Sequence, residues 1–335
     1  MSSISIKDIA KAAGVSHSTV SRALRNSPLV NAETTAQIQA LAREMGYSPS
    51  AVARSLVTRR TQTVGLVVTH ISDPFGDQVV DGVEDLATRA GYSVFLSSSH
   101  GNPEREVAVV ETFHRRRVDG VIVLASRVGR LYGERLRELN VPIVLINNEA
   151  AGSLGSSVSV DDEQGARLAT RHLLELGHQR IGYIGSSLRP PTSLRRWSGY
   201  EAEMVRAGLS PDASLAVVPN CQRDIQSGQA GLGHLLAEGV TAVFCYNDRT
   251  AIGVLLEAHE RGIRLPQELS VVGYDDIEPS WYVTPPLTTV HQPRFEMGRL
   301  AMQMLLDLLE GRAVSAQVLP GKLIVRGSTA PVSKP

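Results

Sequence analysis

The stretch Ile6-Lys-Asp-Ile-Ala-Lys-Ala-Ala-Gly-Val-Ser-His-Ser-Thr-Val-Ser-Arg-Ala-Leu24 reads as two short helices and the turn between them. Ile6, Ile9, Ala10 and Ala13 recur at helical spacing and form one apolar face. Ser5 precedes them with Asp8 three positions on, a capping-box start, and Gly14 supplies the left-handed stop. Only Val15 separates that stop from Ser16, a second N-cap, after which Val20, Ala23 and Leu24 mark the buried face of the next helix. Helices joined by a turn of about three residues cross steeply, which leaves the second free to enter a DNA major groove. Asn31 then caps a third helix with Ile38, Leu41, Ala42 and Met45 inward, and Gly46 ends it.

With the apolar stripe facing in, His17, Ser18, Ser21, Arg22 and Arg25 are left on the outer side of the second helix. Arg22 suits a bidentate grip on guanine, worth about 1–3 kcal/mol of discrimination. His17 and Ser18 suit either a base edge or a phosphate, whereas Ser16, Thr19 and the amides of helix starts suit phosphate oxygens that set register. Charge agrees with a polyanion partner for this segment. Residues 1–60 hold eight Lys/Arg against three Asp/Glu, and because the whole chain is neutral the remainder carries a net −5.

Beyond the third helix lies Ser48-Pro-Ser-Ala-Val-Ala-Arg-Ser-Leu56. Ser48 is an N-cap and Pro49 is pre-set for the first helical position, but about two turns are too few to hold a helix alone in water. The expectation is a tether that folds only on DNA and against a twin, with Ala51 and Ala53 small enough for close approach. Leu56 would then be a wedge between base steps in the minor groove.

After residue 60 the period changes. Strand-length apolar runs recur at Val64–Val68, Val118–Leu124, Val141–Ile146, Ile181–Ile184, Ala242–Tyr246 and Leu269–Gly273. Amphipathic helical spacing fills intervening stretches such as Asp77–Ala90, Glu163–Leu176, Thr250–Arg261 and Phe295–Leu309. Strands apolar on both faces, alternating with helices, mean parallel sheets covered by helices. A faint echo between Val118-Asp-Gly-Val-Ile-Val-Leu124 and Val240-Thr-Ala-Val-Phe-Cys-Tyr246 points to two similar α/β lobes with a cleft between them.

Several function classes find no support. There is no P-loop, no Gly-x-Gly-x-x-Gly, no Gly-x-Ser-x-Gly and no metal-spaced Cys/His cluster, so neither enzyme chemistry nor a cofactor is expected. His172 and His178 are six apart, on different helical faces. Asp161-Asp162 looks like a helix cap rather than an acid–base pair, whereas Asp275 follows a strand, where open α/β sheets bind ligands. Cys221 and Cys245 suit reduced, buried thiols, and no apolar run approaches the ~20 residues of a membrane span. The opening Met1-Ser-Ser-Ile-Ser-Ile-Lys-Asp shows no secretory pattern, so a cytoplasmic, nucleoid-associated protein is expected. A solute-binding transport component shares such a core but leaves the basic headpiece unexplained.

The Ile6–Leu24 stretch, followed by Gly46-Tyr-Ser-Pro-Ser-Ala-Val-Ala-Arg-Ser-Leu56, resembles the lactose/purine-repressor (LacI/GalR) family. The resemblance continues through Asp73-Pro-Phe75, Val118-Asp-Gly-Val121, Gly177-His-Gln-Arg-Ile181, Phe244-Cys-Tyr-Asn-Asp248, Val272-Gly-Tyr-Asp275 and Pro286-Leu-Thr-Thr-Val-His-Gln-Pro293. It implies a helix-turn-helix headpiece (1–47), a hinge helix and linker (48–60) and a two-lobed periplasmic-binding-protein-like core (61–335). The N-lobe would take about 61–160 and 291–320, the C-lobe about 161–290 and 321–330. Base-reading positions fall on His17, Ser18 and Arg22, and the minor-groove lever on Leu56. Ser5, Ser21, Asn31, Tyr47, Ser50, Ala53 and Arg54 complete the candidate DNA-contacting set.

By the same resemblance the effector cleft uses Asp73, Phe75, Asn148, Asp161, Arg196, Asn247 or Asp248, and Asp275. Phe75 would face a sugar ring and Arg196 would hold hydroxyls or a carboxylate. Gly76, the loop Arg189-Pro-Pro-Thr192 and the pair Asn147-Asn148 depart from the common pattern. Many polar groups and few aromatics favour a sugar or sugar acid over a nucleobase. The implied protein is a homodimeric repressor on a pseudo-palindromic operator, dimerising through Asp77–Ala90 and residues near Met297–Met304, with effector binding changing the angle between lobes.

Overall fold

The computed structural model describes residues 4–47, 60–126, 141–147, 156–210 and 212–332. The chain forms two compact units, Met1–Gln62 and Thr63–Pro335. The tether Ser48–Leu56, with Ser50, Ala53, Arg54 and Leu56, falls outside the described residues, as does Asn148.

In the first unit α1 (Ile6–Ala12), α2 (His17–Ala23) and α3 (Ala32–Glu44) pack on Ile9, Ala10, Val20, Ala23, Ile38 and Ala42. Each start is capped. The Ser5 amide donates to Asp8 Oδ2 at 2.8 Å, Ser16 Oγ accepts from the Thr19 amide at 3.1 Å, and Asn31 Oδ1 accepts from the Thr34 amide at 2.7 Å. Gly14 sits at φ +65°, and a Cβ there would meet nothing within 4 Å. The turn therefore needs glycine for its backbone conformation, not for space.

The second unit holds two six-stranded sheets. The first contains β1 (Thr63–Val68), β2 (Ser93–Ser98), β3 (Gly120–Leu124), β4 (Ile143–Ile146), β5 (Ser157–Val160) and β11 (Gln317–Leu319), in the order β11-β5-β4-β3-β1-β2. The second contains β6 (Ile181–Ile184), β7 (Ala216–Val217), β8 (Ala242–Cys245), β9 (Ser270–Asp275), β10 (Thr288–His291) and β12 (Lys322–Ile324), in the order β12-β10-β9-β8-β6-β7. Every pairing is parallel except β10–β12. One strand order is thus used twice. The echo between Val118–Leu124 and Val240–Tyr246 lies on β3 and β8, which occupy the same place in the two orders.

Helices cover both sheets: α4 (Gly76–Arg89), α5 (Pro103–Arg115), α6 (Asp162–Glu175), α7 (Pro190–Arg206), α8 (Asp224–Ala237), α9 (Asp248–Glu260), the short α10 (Pro279–Tyr282) and α11 (Arg294–Leu309). Helix α11 packs on α4 and the first sheet, so the chain returns to that lobe after β10. The α4–α11 contact is backbone on backbone. A Cβ on Gly82 would lie 2.0 Å from the Phe295 carbonyl, and one on Gly298 would lie 2.2 Å from that of Val79. In the other lobe α6 meets α7 in the same way, with a Cβ on Gly199 falling 2.3 Å from the Glu163 carbonyl.

The weakly patterned edge strands β2, β7, β11 and β12, together with β5, had no distinct apolar signal in the sequence. One boundary differs with consequence. The last strand of the sequence reading continues to Asp275, so that residue ends β9 instead of following it. No helix among the described residues is long and apolar enough to cross a membrane.

Candidate functional site

The headpiece presents the outer edge of α2. His17, Ser18 and Arg22 are exposed, and neither the His17 nor the Arg22 side chain has a hydrogen-bond partner among the described residues. Ser16 Oγ lies 2.8 Å from both Ser18 Oγ and Thr19 Oγ1, so three hydroxyls cluster at the helix start. Arg25 folds back along the helix, its Nε donating to the Ser21 carbonyl at 3.0 Å and its Nη2 to Ser21 Oγ at 3.2 Å. That leaves Arg22 as the exposed arginine of this face with no hydrogen-bond partner among the described residues. Ser5 Oγ is committed to Asp8 at 2.7 Å, and these hydrogen bonds from Ser5 hold the Asp8 carboxyl below its ordinary range. Tyr47 packs against the headpiece core. Gln39 was not singled out in the sequence, yet its Nε2 donates to the Ala23 carbonyl at 3.3 Å and to Asn26 Oδ1 at 2.8 Å, tying α3 to the end of α2.

The second unit contains a cleft of about 560 Å³ between its two lobes. Its walls are the carboxyl ends of the parallel strands and the turns that follow them, the position open α/β sheets leave for ligands. From the first lobe come Thr69, His70, Ser72, Asp73, Phe75, Leu124 and Asn147; from the second come Arg189, Thr192, Arg196, Tyr246, Asn247 and Asp275. Gln292 lies where the chain crosses back. Volume and polarity suit a small polar molecule.

Arg196 anchors the second wall. It is 3% exposed, its guanidinium carbon lies 3.6 Å from the centre of the Tyr274 ring and 4.7 Å from that of Tyr246, and Nη1 donates to the Tyr246 carbonyl. Its Nε donates to Asp162 Oδ1 at 2.9 Å, and its Nη1 lies 3.6 Å from Asp275 Oδ1. Desolvation and ring faces fix this cation in one orientation. Asp275 accepts from Gln292 Nε2 at 2.7 Å, and Gln292 Oε1 accepts from Asn147 Nδ2 at 3.1 Å, which links the wall to the first lobe. A second tie runs from Arg189 Nη2 to the Asn147 carbonyl at 2.8 Å. Burial pushes the Asp275 carboxyl up to about 7, against the lowering effect of Arg196 and Gln292. Asp275 and Asp276 hold φ of +112° and +56°, a strained pair of positions that the surrounding bonds enforce.

Asp276 turns away from the cleft to His291 Nδ1 at 2.9 Å, Arg326 Nη2 at 2.6 Å and Trp281 Nε1 at 3.1 Å. Burial raises its carboxyl, but these donors outweigh burial and hold it at about 2. The buried Arg294 donates to the Pro74 carbonyl at 2.6 Å, Asp77 Oδ1 at 2.9 Å and the Asp276 carbonyl at 2.9 Å. It therefore joins the Asp73–Phe75 turn to the other lobe.

Of the residues expected in the cleft, Asp73, Phe75, Arg196, Asn247 and Asp275 line it together. Asp161 and Asp248 do not. Asp161 caps α6 by accepting from the Gln164 amide at 2.9 Å, and its neighbour Asp162 is the acid that faces Arg196. Asp248 is fully buried, accepting from Thr289 Oγ1 and from the Ile277 amide at 2.8 Å; burial, then the charge of Asp275, pushes its carboxyl well up. Asn247 Oδ1 caps α9 through the Thr250 amide at 2.8 Å, leaving Nδ2 to donate to Asp224 at 3.0 Å. Arg223, Arg249 and Gln292 line the cleft without having been singled out. Gln292 lay inside a quoted motif, and Arg249 directly follows one. His178 is a satisfied core histidine, bonded to Thr241 Oγ1, Ser270 Oγ and the Ala330 carbonyl, and burial lowers its pKa.

Among known proteins, the description "Bacterial regulatory proteins, lacI family" matches residues 5–50, and "Periplasmic binding protein-like domain" matches residues 170–329. The HTH-type transcriptional repressor PurR of Serratia proteamaculans (strain 568) is 37% identical over 331 residues, covering 97% of this chain and 96% of that protein. The lac repressor dimer bound to operator and the anti-inducer ONPF is similar at 29% identity and a TM-score of 0.87, over 98% of this chain and 100% of that one. The complex of the transcriptional regulator CelR with cellobiose is similar at 30% identity and a TM-score of 0.73, over 97% and 99%.

Proposed function

The chain belongs to the lacI family of bacterial regulatory proteins and is a DNA-binding transcriptional repressor rather than an enzyme, and from that premise we propose that a sugar-like molecule in the interlobe cleft sets its affinity for an operator. The observation that carries the proposal is the Arg196–Asp275–Gln292–Asn147 chain of contacts, which runs along the cleft from one lobe into the other. A ligand hydroxyl that pairs with Asp275 enters the set of bonds that fixes the angle between lobes. In a dimer that angle sets the spacing of the two N-lobes, and hence whether paired tethers meet the minor groove. Ligand and operator affinities become coupled in this way, each changing the other by the same factor.

In this scheme Arg22 reads a guanine while Ser16, Ser18 and Thr19 hold phosphates in each half of a pseudo-palindromic site, and Leu56 is the minor-groove wedge. The protein works as a cytoplasmic homodimer. The lac repressor dimer on operator and the CelR–cellobiose complex support the assembly and the ligand class. A nucleobase is the second reading, favoured by the relatives that bear the name PurR. Against it, the rings of the cleft lining among the described residues are Phe75, Tyr246 and the His70 imidazole, and Tyr246 is already stacked with Arg196.

The test pairs a thermal-shift screen of sugars, sugar derivatives and purine bases with operator binding in the presence of each hit. A sugar that raises the melting temperature and moves operator affinity in either direction supports the proposal. A purine base doing so alone refutes the ligand class. For the DNA face, Arg22→Ala is expected to relax specificity at one base pair of each half-site by about 1–3 kcal/mol.

A further inference from the structure

Among the described residues four arginines line the cleft, Arg189, Arg196, Arg223 and Arg249, and all four come from the C-lobe wall. Their charges are unevenly matched. Arg196 is neutralised largely by Asp162, at 2.9 Å. Arg189 is engaged, with its Nη2 donating to the Asn147 carbonyl at 2.8 Å among its contacts. Arg223, exposed, and Arg249, half-buried, have no hydrogen-bond or ion-pair partner for their side chains among the described residues.

The acids of the cleft, Asp73, Asp224 and Asp275, offset them in part. Asp224 is engaged by Asn247 Nδ2 at 3.0 Å, and Asp73 Oδ1 accepts from the Phe75 amide at 3.1 Å. Asp275, with its carboxyl pushed up to about 7, carries less than a full charge at neutral pH. The backbone adds the same sign. Arg223 is the N-cap of α8 and makes no side-chain cap, and Asp224, Ile225 and Gln226 of its first turn line the cleft. A cavity with guanidinium forks on one wall and hydroxyls on the other is shaped for a molecule with an anionic end and a polyhydroxylated body.

We propose that the effector is an anion, a polyhydroxylated molecule bearing a carboxylate or a phosphate, whose charged end lies against Arg223 and Arg249 while its hydroxyls face Asp275 and Asp73. This deepens the proposal that the interlobe cleft is the effector site, and it rests on that proposal. Arg249→Gln and Arg223→Gln keep the bulk and remove the charge. Neither position is fully buried, so both variants are expected to fold.

The experiment is calorimetric titration and thermal shift of the full-length protein with compounds paired by charge. Gluconate is set against glucitol, galacturonate and glucuronate against their parent hexoses, and hexose 6-phosphates against the same hexoses, at physiological salt. At least one charged member should bind about tenfold or more tightly than its neutral partner, and each charge-removing substitution should lower that ratio by about tenfold. Uronates and aldonates against sugar phosphates decide which anion is held. A charged preference that survives in the double variant overturns the proposal. So do neutral sugars binding as well as their charged partners, and if that binding is lost in Asp275→Asn the effector site itself stands. No shift with any compound of either kind overturns both the anion and the sugar-like ligand.

Discussion

The two lobes of the core share a strand order yet meet the cleft with different chemistry. At corresponding strand ends, β4 leads into the neutral Asn147 and β9 ends in Asp275, followed by Asp276; all three residues hold positive φ. Among the described residues the first lobe offers Phe75, Leu124, Asp73 and the hydroxyls of Thr69 and Ser72, while the second offers four arginines with Asp224 and the buried Asp275. The repeated strand order therefore sets where the cleft lies, and the residues at strand ends give its two walls different chemistry. On the C-lobe wall Arg196 is buried against the Tyr246 and Tyr274 rings and Asp162, whereas Arg223 is exposed and Arg249 half-buried. The N-lobe wall is held through Arg294 and Gln292, contacts that reach across the cleft and so respond to lobe angle.

The largest effect is expected from Arg196→Ala. Removing the guanidinium takes from Asp162, 5% exposed, the nearer of its two cations, leaving Arg195 at 3.0 Å, and takes from Asp275 the cation at 3.6 Å. Breaking a buried ion pair costs up to about 3–5 kcal/mol, the upper end applying where no partner remains, and is readable as a fall in the urea midpoint. A loss below about 1 kcal/mol would mean that the ion pair does not hold the C-lobe wall, and the contrast between lobes would fail.

A pH series sharpens the same contrast. Asp275 binds its proton more tightly in the folded chain than in the unfolded one, where a carboxyl titrates near 4. Its contribution to stability is therefore greatest below about pH 4 and is lost as pH rises through about 7, up to roughly 4 kcal/mol in all. His172 and His178, whose pKa values burial lowers, act in the opposite sense as pH falls through the ordinary histidine range. The useful quantity is accordingly the difference between the wild type and Asp275→Asn. That difference should decline from pH 4 to pH 7.5; a flat difference would show a carboxyl that is not desolvated.

Much of this architecture was legible in sequence because it depends on local periodicity. Ile9, Val20, Ala23 and Ile38 announced the headpiece core, and the apolar runs that became β1, β3, β4, β6, β8 and β9 announced parallel sheets. The choice of acid for Arg196 was not legible. Asp161 and Asp162 are adjacent at a helix start, where neighbours point about 100° apart, so one caps the helix while the other faces α7. Nor was the cationic wall. Arg189, Arg223 and Arg249 begin three different helices, and only the sheet order brings those helix starts to one rim.

If the lobes are equivalent as scaffolds, equal insults to their helix pairs should cost the same. Gly298→Ala in α11 and Gly199→Ala in α7 each drive a methyl into a backbone carbonyl, at 2.2 and 2.3 Å. Each is expected to cost about 1–3 kcal/mol in thermal or urea unfolding. A cost confined to one variant would show that the two helix pairs are not interchangeable supports.

The smallest expected effect tests the N-lobe side of the cleft directly. Asn147 holds φ +47°, donates to Gln292 Oε1 at 3.1 Å and accepts from the Val160 amide at a long 3.4 Å. Glycine tolerates that backbone conformation without strain, so Asn147→Gly removes the amide while leaving the turn, and with it the carbonyl that Arg189 reaches. One neutral hydrogen bond of ordinary length is worth about 0.5–1.5 kcal/mol, well under the loss expected at Arg196. The variant should therefore stay folded and keep a C-lobe wall competent to bind ligand, while losing part of the coupling between ligand and operator. A stability loss as large as that of Arg196→Ala would place the structural weight of the cleft on both lobes equally, and the division into a gripping wall and a responding wall would not hold.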